Sequence, residues 1–170
     1  MNIRAKEPPF FHLLMGNVTD LANFYERLRS QEESAVVMRL LRGEDMSDSK
    51  CFFAEIAAAL QFPLYFGRNM NALAECLGDL GDWLPAEAYL LVISQTTLVL
   101  KEESREDFVA FFRLLADVCR EWAVGTLPGA NWERKPTPFH VVLNTSVEDA
   151  DSLVQLLEPA VGDIPAVALS

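Results

Sequence analysis

Positive charge is scarce in this chain: 14 Lys and Arg stand against 25 Asp and Glu, and the formal net charge is −11 over 170 residues. Such a field repels phosphate backbones and anionic lipid over about a Debye length, so direct nucleic-acid or membrane-surface binding is not expected. The same field would steer a basic protein toward the surface before contact. Acidity that serves only solubility is an equally open reading of the charge. Cysteine is sparse too. Cys51, Cys76 and Cys119 are odd in number, widely spaced and set among apolar neighbours, a pattern that suggests neither a disulfide framework nor a zinc site and reads as reduced core thiols. Long apolar runs are missing. Phe10 to Met15 is interrupted by His12 and is too short for a signal-peptide core, and no run approaches the roughly 18 residues of a membrane span. A cytoplasmic location is expected.

The usual signatures of catalysis are also absent. The two histidines, His12 and His140, each lie in an apolar strand-like run and in no metal-ligand or nucleophile-base pattern, so both read as core or edge residues. There is no glycine-rich phosphate loop, GxSxG or HExxH sequence. Glu106-Asp107 and Glu148-Asp149 fall in first helical turns, where acids stabilise the helix dipole. An enzyme is not expected, nor a cofactor or metal.

What is present is a chain of the right size for one good core, 51% hydrophobic. Phe10 to Met15 reads as a strand, and Thr19 as the cap of a helix carrying Leu21, Phe24, Tyr25 and Leu28 at helical spacing up to the polar stretch 29–34. Ala35 to Leu41 reads as a buried strand. Ser47 or Ser49 would cap a helix through Phe52, Ile56 and Leu60 that Pro63 stops. A further helix should begin soon after Gly67 and close at Gly78 in a left-handed conformation. Tyr89 to Ile93 is the next strand. Ser104 would cap a long helix with Phe108, Phe111, Phe112, Leu115, Cys119 and Trp122 on one face. The Gly- and Pro-rich stretch 125–138 is a loop, and Phe139 to Leu143 is another strand. Thr145 and Glu148 would box a last helix ended by Pro159, with room for an edge strand at 166–169. Strands alternating with helices predict an α/β fold with a mostly parallel sheet packed against helices.

The most informative segment is Phe62-Pro63-Leu64-Tyr65-Phe66-Gly67-Arg68-Asn69-Met70-Asn71-Ala72-Leu73-Ala74-Glu75-Cys76-Leu77. Its Pro stop, Tyr-aromatic-Gly turn, Asn two residues on, Ala-Leu pair and acid before Cys-Leu together resemble the barstar family of intracellular ribonuclease inhibitors. The resemblance extends more weakly over 35–144 as an order of elements. It implies a barstar-like domain there with three core strands, an N-terminal extension at 1–34 (strand plus helix) and a C-terminal extension at 145–170.

The resemblance further implies that this loop and helix plug the active site of a ribonuclease, a carboxylate standing where substrate phosphate would. Tyr65 would lie flat on the partner, Gly67 and Asn69 would shape the approach loop, and Glu75 would enter the anion site. The type member of the family has an aspartate where this chain has Asn71, a shorter central acid than Glu75, a bulky aromatic in place of Ala74, and an acid at the position of Leu114. Asp79 and Asp82 could restore acidity, and Trp83 could replace the aromatic. Tyr65, Gly67, Asn69, Asn71, Glu75, Asp79, Asp82 and Trp83 are therefore the candidate partner-binding residues. The partner expected is a basic protein, a ribonuclease or other basic nuclease for which the chain could be an immunity protein. The second reading is a barstar-like protein-binding module without nuclease inhibition. Phe66 reads as a core aromatic and Cys76 as a core thiol.

Overall fold

The computed structural model describes residues 1–31, 35–126 and 134–168. Strands β1 (Phe11–Met15), β2 (Val36–Arg42), β3 (Ala88–Ser94) and β4 (Phe139–Thr145) form one sheet in the order β1-β4-β3-β2, every pair parallel. The described helices are α1 (Val18–Gln31), α2 (Ser49–Leu60), α3 (Met70–Gly78), α4 (Arg105–Val124) and α5 (Val147–Val161). The α/β expectation holds: β2, β3 and β4 are the three core strands, and β1 adds a fourth.

β3 and β4 are buried at all seven positions, as strands covered on both faces must be. Tyr89, Leu91 and Ile93 join Phe11, Leu13, Val141 and Leu143 in the larger core, with the apolar faces of α2, α3, α4 and α5. The alternate residues Leu90 and Val92, with Leu14 and Val142, pack with Leu21 and Phe24 of α1 and with Ile3. The edge strand β2 is guarded. Arg39 donates from Nε to the Ala59 carbonyl and from Nη1 to its neighbour Met38, and the Tyr25 hydroxyl reaches the same Met38 carbonyl.

Several boundaries differ from expectation. Asn17, not Thr19, holds the first amides of α1; Asp48, not Ser47 or Ser49, accepts from the Cys51 amide; Ser146, not Thr145, accepts from the Asp149 amide. Adjacent residues are equally competent caps, and the preceding chain decides: Thr145 is still the last residue of β4. Ser104 does cap α4, with Asp107 completing the box. Pro159 lies inside α5, which runs on to Val161 and closes at Gly162 with φ 88°. A proline so near the end forfeits little of the helix's bonding. The expected edge strand at 166–169 is reduced to one parallel bridge, Leu13 with Ala166, in which the Leu13 amide donates to Pro165 and the Val167 amide to Leu13. Leu169 lies outside the described residues, as do 32–34 and 127–133 of the expected polar stretch and loop. Cys76 and Cys119 are buried thiols as expected, but Cys51 is exposed. It occupies the solvent face of α2, one residue before the buried Phe52.

His12 and His140, 128 residues apart in sequence, meet inside the structure. The register of β1 on β4 brings His12 Nε2 to 3.1 Å from His140 Nδ1, while His140 Nε2 lies 2.9 Å from the Ala5 carbonyl. A carbonyl only accepts, so His140 carries its proton on Nε2 and accepts on Nδ1, which in turn makes His12 the Nε2–H donor. Both rings are neutral, since desolvation lowers both pKa values, His12 from 6.5 to about 4 with help from the neighbouring ring. Between those limits the unfolded chain takes up a proton that the folded chain refuses. This contribution to stability is whole above pH 6.5, declines as the pH falls and is lost by about pH 4. Urea denaturation should show a loss on the order of 2 kcal/mol between pH 7.5 and 4.5, and His12→Gln, which keeps a donor that does not titrate, should remove most of that slope.

Candidate protein-docking surface

The segment from Gln61 to Asp82 is assembled as a rigid loop, a short helix and a tight turn. α2 ends with Gln61 in the left-handed conformation (φ 54°), and the Phe62 amide returns to the Ala57 carbonyl at 2.9 Å. A turn follows in which the Phe66 amide donates to the Pro63 carbonyl at 3.0 Å. Phe66 folds inward, edge-on to Phe62 at 4.9 Å and to Phe53 at 6.0 Å. Its neighbours face the other way: Tyr65 is 76% exposed and Leu64 fully so.

Asn69 joins loop to helix. Its Oδ1 accepts from the Ala72 amide at 3.0 Å, capping α3, and its Nδ2 donates to the Gly67 carbonyl at 3.1 Å. The same amide explains Gly67, where a Cβ would stand 3.1 Å from Nδ2. Gly67 does not take a positive φ; Arg68 does, at 51°.

α3 has only nine residues, too few to be helical alone. Leu73, Cys76 and Leu77 bury its inner face, each leucine contributing about 1.5–3 kcal/mol. Its C-terminal carbonyls are taken by donors from elsewhere. Trp122 Nε1 donates to Leu77 at 2.9 Å, and Arg134, stacked over the Trp122 ring at 4.2 Å, donates from Nη1 to Gly78. With those groups satisfied no left-handed residue is needed, and Gly78, expected to supply one, does not; the chain passes through Asp79 (φ −97°) into a 3-10 turn at Leu80–Asp82.

The outer face carries Asn71, Glu75 and Asp79 at intervals of four, with Asp82 beyond, and all four are exposed. Among the described residues no ion pair engages the three carboxylates. Trp83 is turned inward, its Nε1 donating to the Leu60 carbonyl at 3.2 Å and its ring edge-on to Phe62. A cleft of about 340 Å³ separates α3 from α4, lined by Ala74, Ala110, Leu114 and Val118 with Arg113, Asp117 and Glu121. Tyr65, Gly67, Asn69, Asn71, Glu75, Asp79 and Asp82 are all exposed along this one segment of chain, and Trp83 is turned inward behind it. Spacing places Trp122 on the buried face of the long helix, but no local pattern shows that its Nε1–H meets a carbonyl 45 residues away or that Arg134, a cation in a loop, reaches Gly78. No group of three metal-ligating side chains occurs among the described residues, and no described helix is long and apolar enough to cross a membrane.

The architecture is a parallel α/β sheet that displays a short, externally braced helix with acids on and just beyond its outer face. The chain belongs to the barstar family, whose model, Barstar (barnase inhibitor), matches residues 36–144. No curated protein matches the sequence. In fold the chain is similar to the Aeropyrum pernix ORC2 protein in its ADP form, with TM-score 0.62, 12% identity and coverage of 95% of this chain and 42% of that one. It is also similar to the ORC1 protein of the same organism in complex with DNA, with TM-score 0.55, 18% identity and coverage of 95% and 40%. The chain spans less than half the length of either, and at these identities the likeness is one of fold.

Replacing Trp122 with Phe keeps an aromatic ring but removes the indole N–H and leaves the Leu77 carbonyl without its donor. The variant should lose about 1–2 kcal/mol of stability, and hydrogen exchange should quicken in α3 well before it does in β3.

Proposed function

We propose that this protein is an intracellular inhibitor of a ribonuclease or other basic nuclease, and that it occludes the enzyme's active site with the loop and helix from Tyr65 to Asp82. Family membership supports the general role. The observation that carries it to this surface is the exposed row Asn71, Glu75, Asp79 and Asp82, on a braced helix and the turn that closes it, whose three carboxylates have no ion pair among the described residues. An active site that binds phosphate with Arg, Lys and His also accepts a carboxylate held at a fixed place. Glu75 is the central acid, Tyr65 the flat aromatic contact, and Gly67 and Asn69 the residues that set the loop's path. The enzyme reading has little to stand on, since His12 and His140 are 4% and 1% exposed and bonded to each other.

A second reading, binding without inhibition, draws on the neutral Asn71 and on Ala74, which leaves an open cleft beside the acid row. One assay separates the two. RNA cleavage by purified small basic ribonucleases, barnase included, is followed as the protein is added, with binding measured in parallel. Inhibition at matching concentrations supports the first reading, binding with cleavage intact supports the second, and no binding to any of them sinks the first and leaves the second with a partner of another kind. For the enzyme that binds, Glu75→Ala should weaken affinity by about 2 kcal/mol, roughly 30-fold, with the melting temperature unchanged.

A further inference from the structure

Leu64 is the most exposed of the large apolar residues described, at 108%, and with Tyr65 at 76% it forms the one place where two such residues adjoin in sequence. Water-facing leucines are common singly and need no function. This one sits at the corner of a turn built to hold it out. The chain before it is closed by the Phe62 amide on Ala57, the turn itself by the Phe66 amide on Pro63, and Phe66 is pinned beneath by Phe62 and Phe53. An apolar tip that is already rigid in the free protein loses little conformational entropy on docking. Only three residues, Phe66 to Arg68, separate Tyr65 from Asn69, the cap of the helix that carries the acid row.

We propose that Leu64 is an apolar anchor that enters a nonpolar recess on the basic partner, beside the cationic centre that receives Glu75. The inference rests on the reading of this surface as a nuclease inhibitor, and it adds a requirement on the partner. That partner has two adjoining features, a cluster of cations and an apolar hollow one turn of chain away, and it is chosen by both together. The carboxylates supply long-range attraction, which salt screens. Leu64 supplies a contact that salt leaves in place and that acts on how long the complex lasts.

The test uses the full chain and the same panel of purified basic ribonucleases, with affinity and dissociation rate measured at low and high salt. Leu64→Ser, at a position with no buried atoms to lose, should fold normally and bind about 10- to 100-fold more weakly. The loss should lie in faster dissociation, with the salt dependence of wild type, and Leu64→Met should restore affinity to within a few-fold. Glu75→Ala should behave in the opposite way, flattening the salt dependence. If Leu64→Ser binds within twofold of wild type while Glu75→Ala is weakened, the anchor is wrong and the inhibitor reading stands. If the wild-type chain binds none of the enzymes, that reading falls and takes the anchor with it.

Discussion

The candidate surface depends on the bracing of one short helix from outside. Nine residues cannot pay for their own nucleation in water, so α3 exists because Leu73 and Leu77 are drawn into the core and because Trp122 and Arg134 occupy its last carbonyls. The arrangement couples distant stretches of sequence. Trp122 belongs to the last turn of α4, and Arg134 lies in the segment between α4 and β4. Asn69 performs the matching task at the other end, with both polar atoms of its amide in use. Its outer face is thereby free to carry residues chosen for a partner instead of for helix stability.

The parts of the fold that could be read in advance were those written in periodicity. β3 is apolar from Ala88 to Ile93 and β4 is apolar but for His140 up to Leu143, while α4 repeats large residues at three and four, so their type and approximate limits were plain. Caps were less legible because Ser, Thr, Asn and Asp crowd the same few positions, and tertiary placement of the preceding strand selects among them. Gly78 misled for a related reason. Glycine at a helix end usually signals a left-handed reversal, but here the carbonyls that such a reversal would serve had partners from α4 and from the loop after it. The exposed positions of the site were legible through the motif from Phe62 to Leu77, whereas the inward turn of Trp83 depended on a carbonyl 23 residues away that no local pattern announces.

The terminal regions are woven into the same sheet. β1 lies outside the span matched by the family model, yet it is paired along its whole length with β4, and the chain near Pro165 closes on its other side through Leu13. The histidine pair joins the layers at that end, since His140 of β4 binds both His12 of β1 and the backbone of Ala5. A row of neutral polar atoms in an otherwise apolar layer specifies register, because a slip of one residue would leave each ring without its partner.

The carboxylates of Glu75, Asp79 and Asp82, without an ion pair among the described residues, also bear on copies of the same chain. Two molecules that approach through this face bring like charges together, and an overall charge of −11 adds to the penalty. Under the proposed function, the face that meets a cationic protein is also one that resists meeting its own copy. An apolar tip such as Leu64 and Tyr65 would ordinarily invite self-association, and the neighbouring carboxylates oppose it by like-charge repulsion.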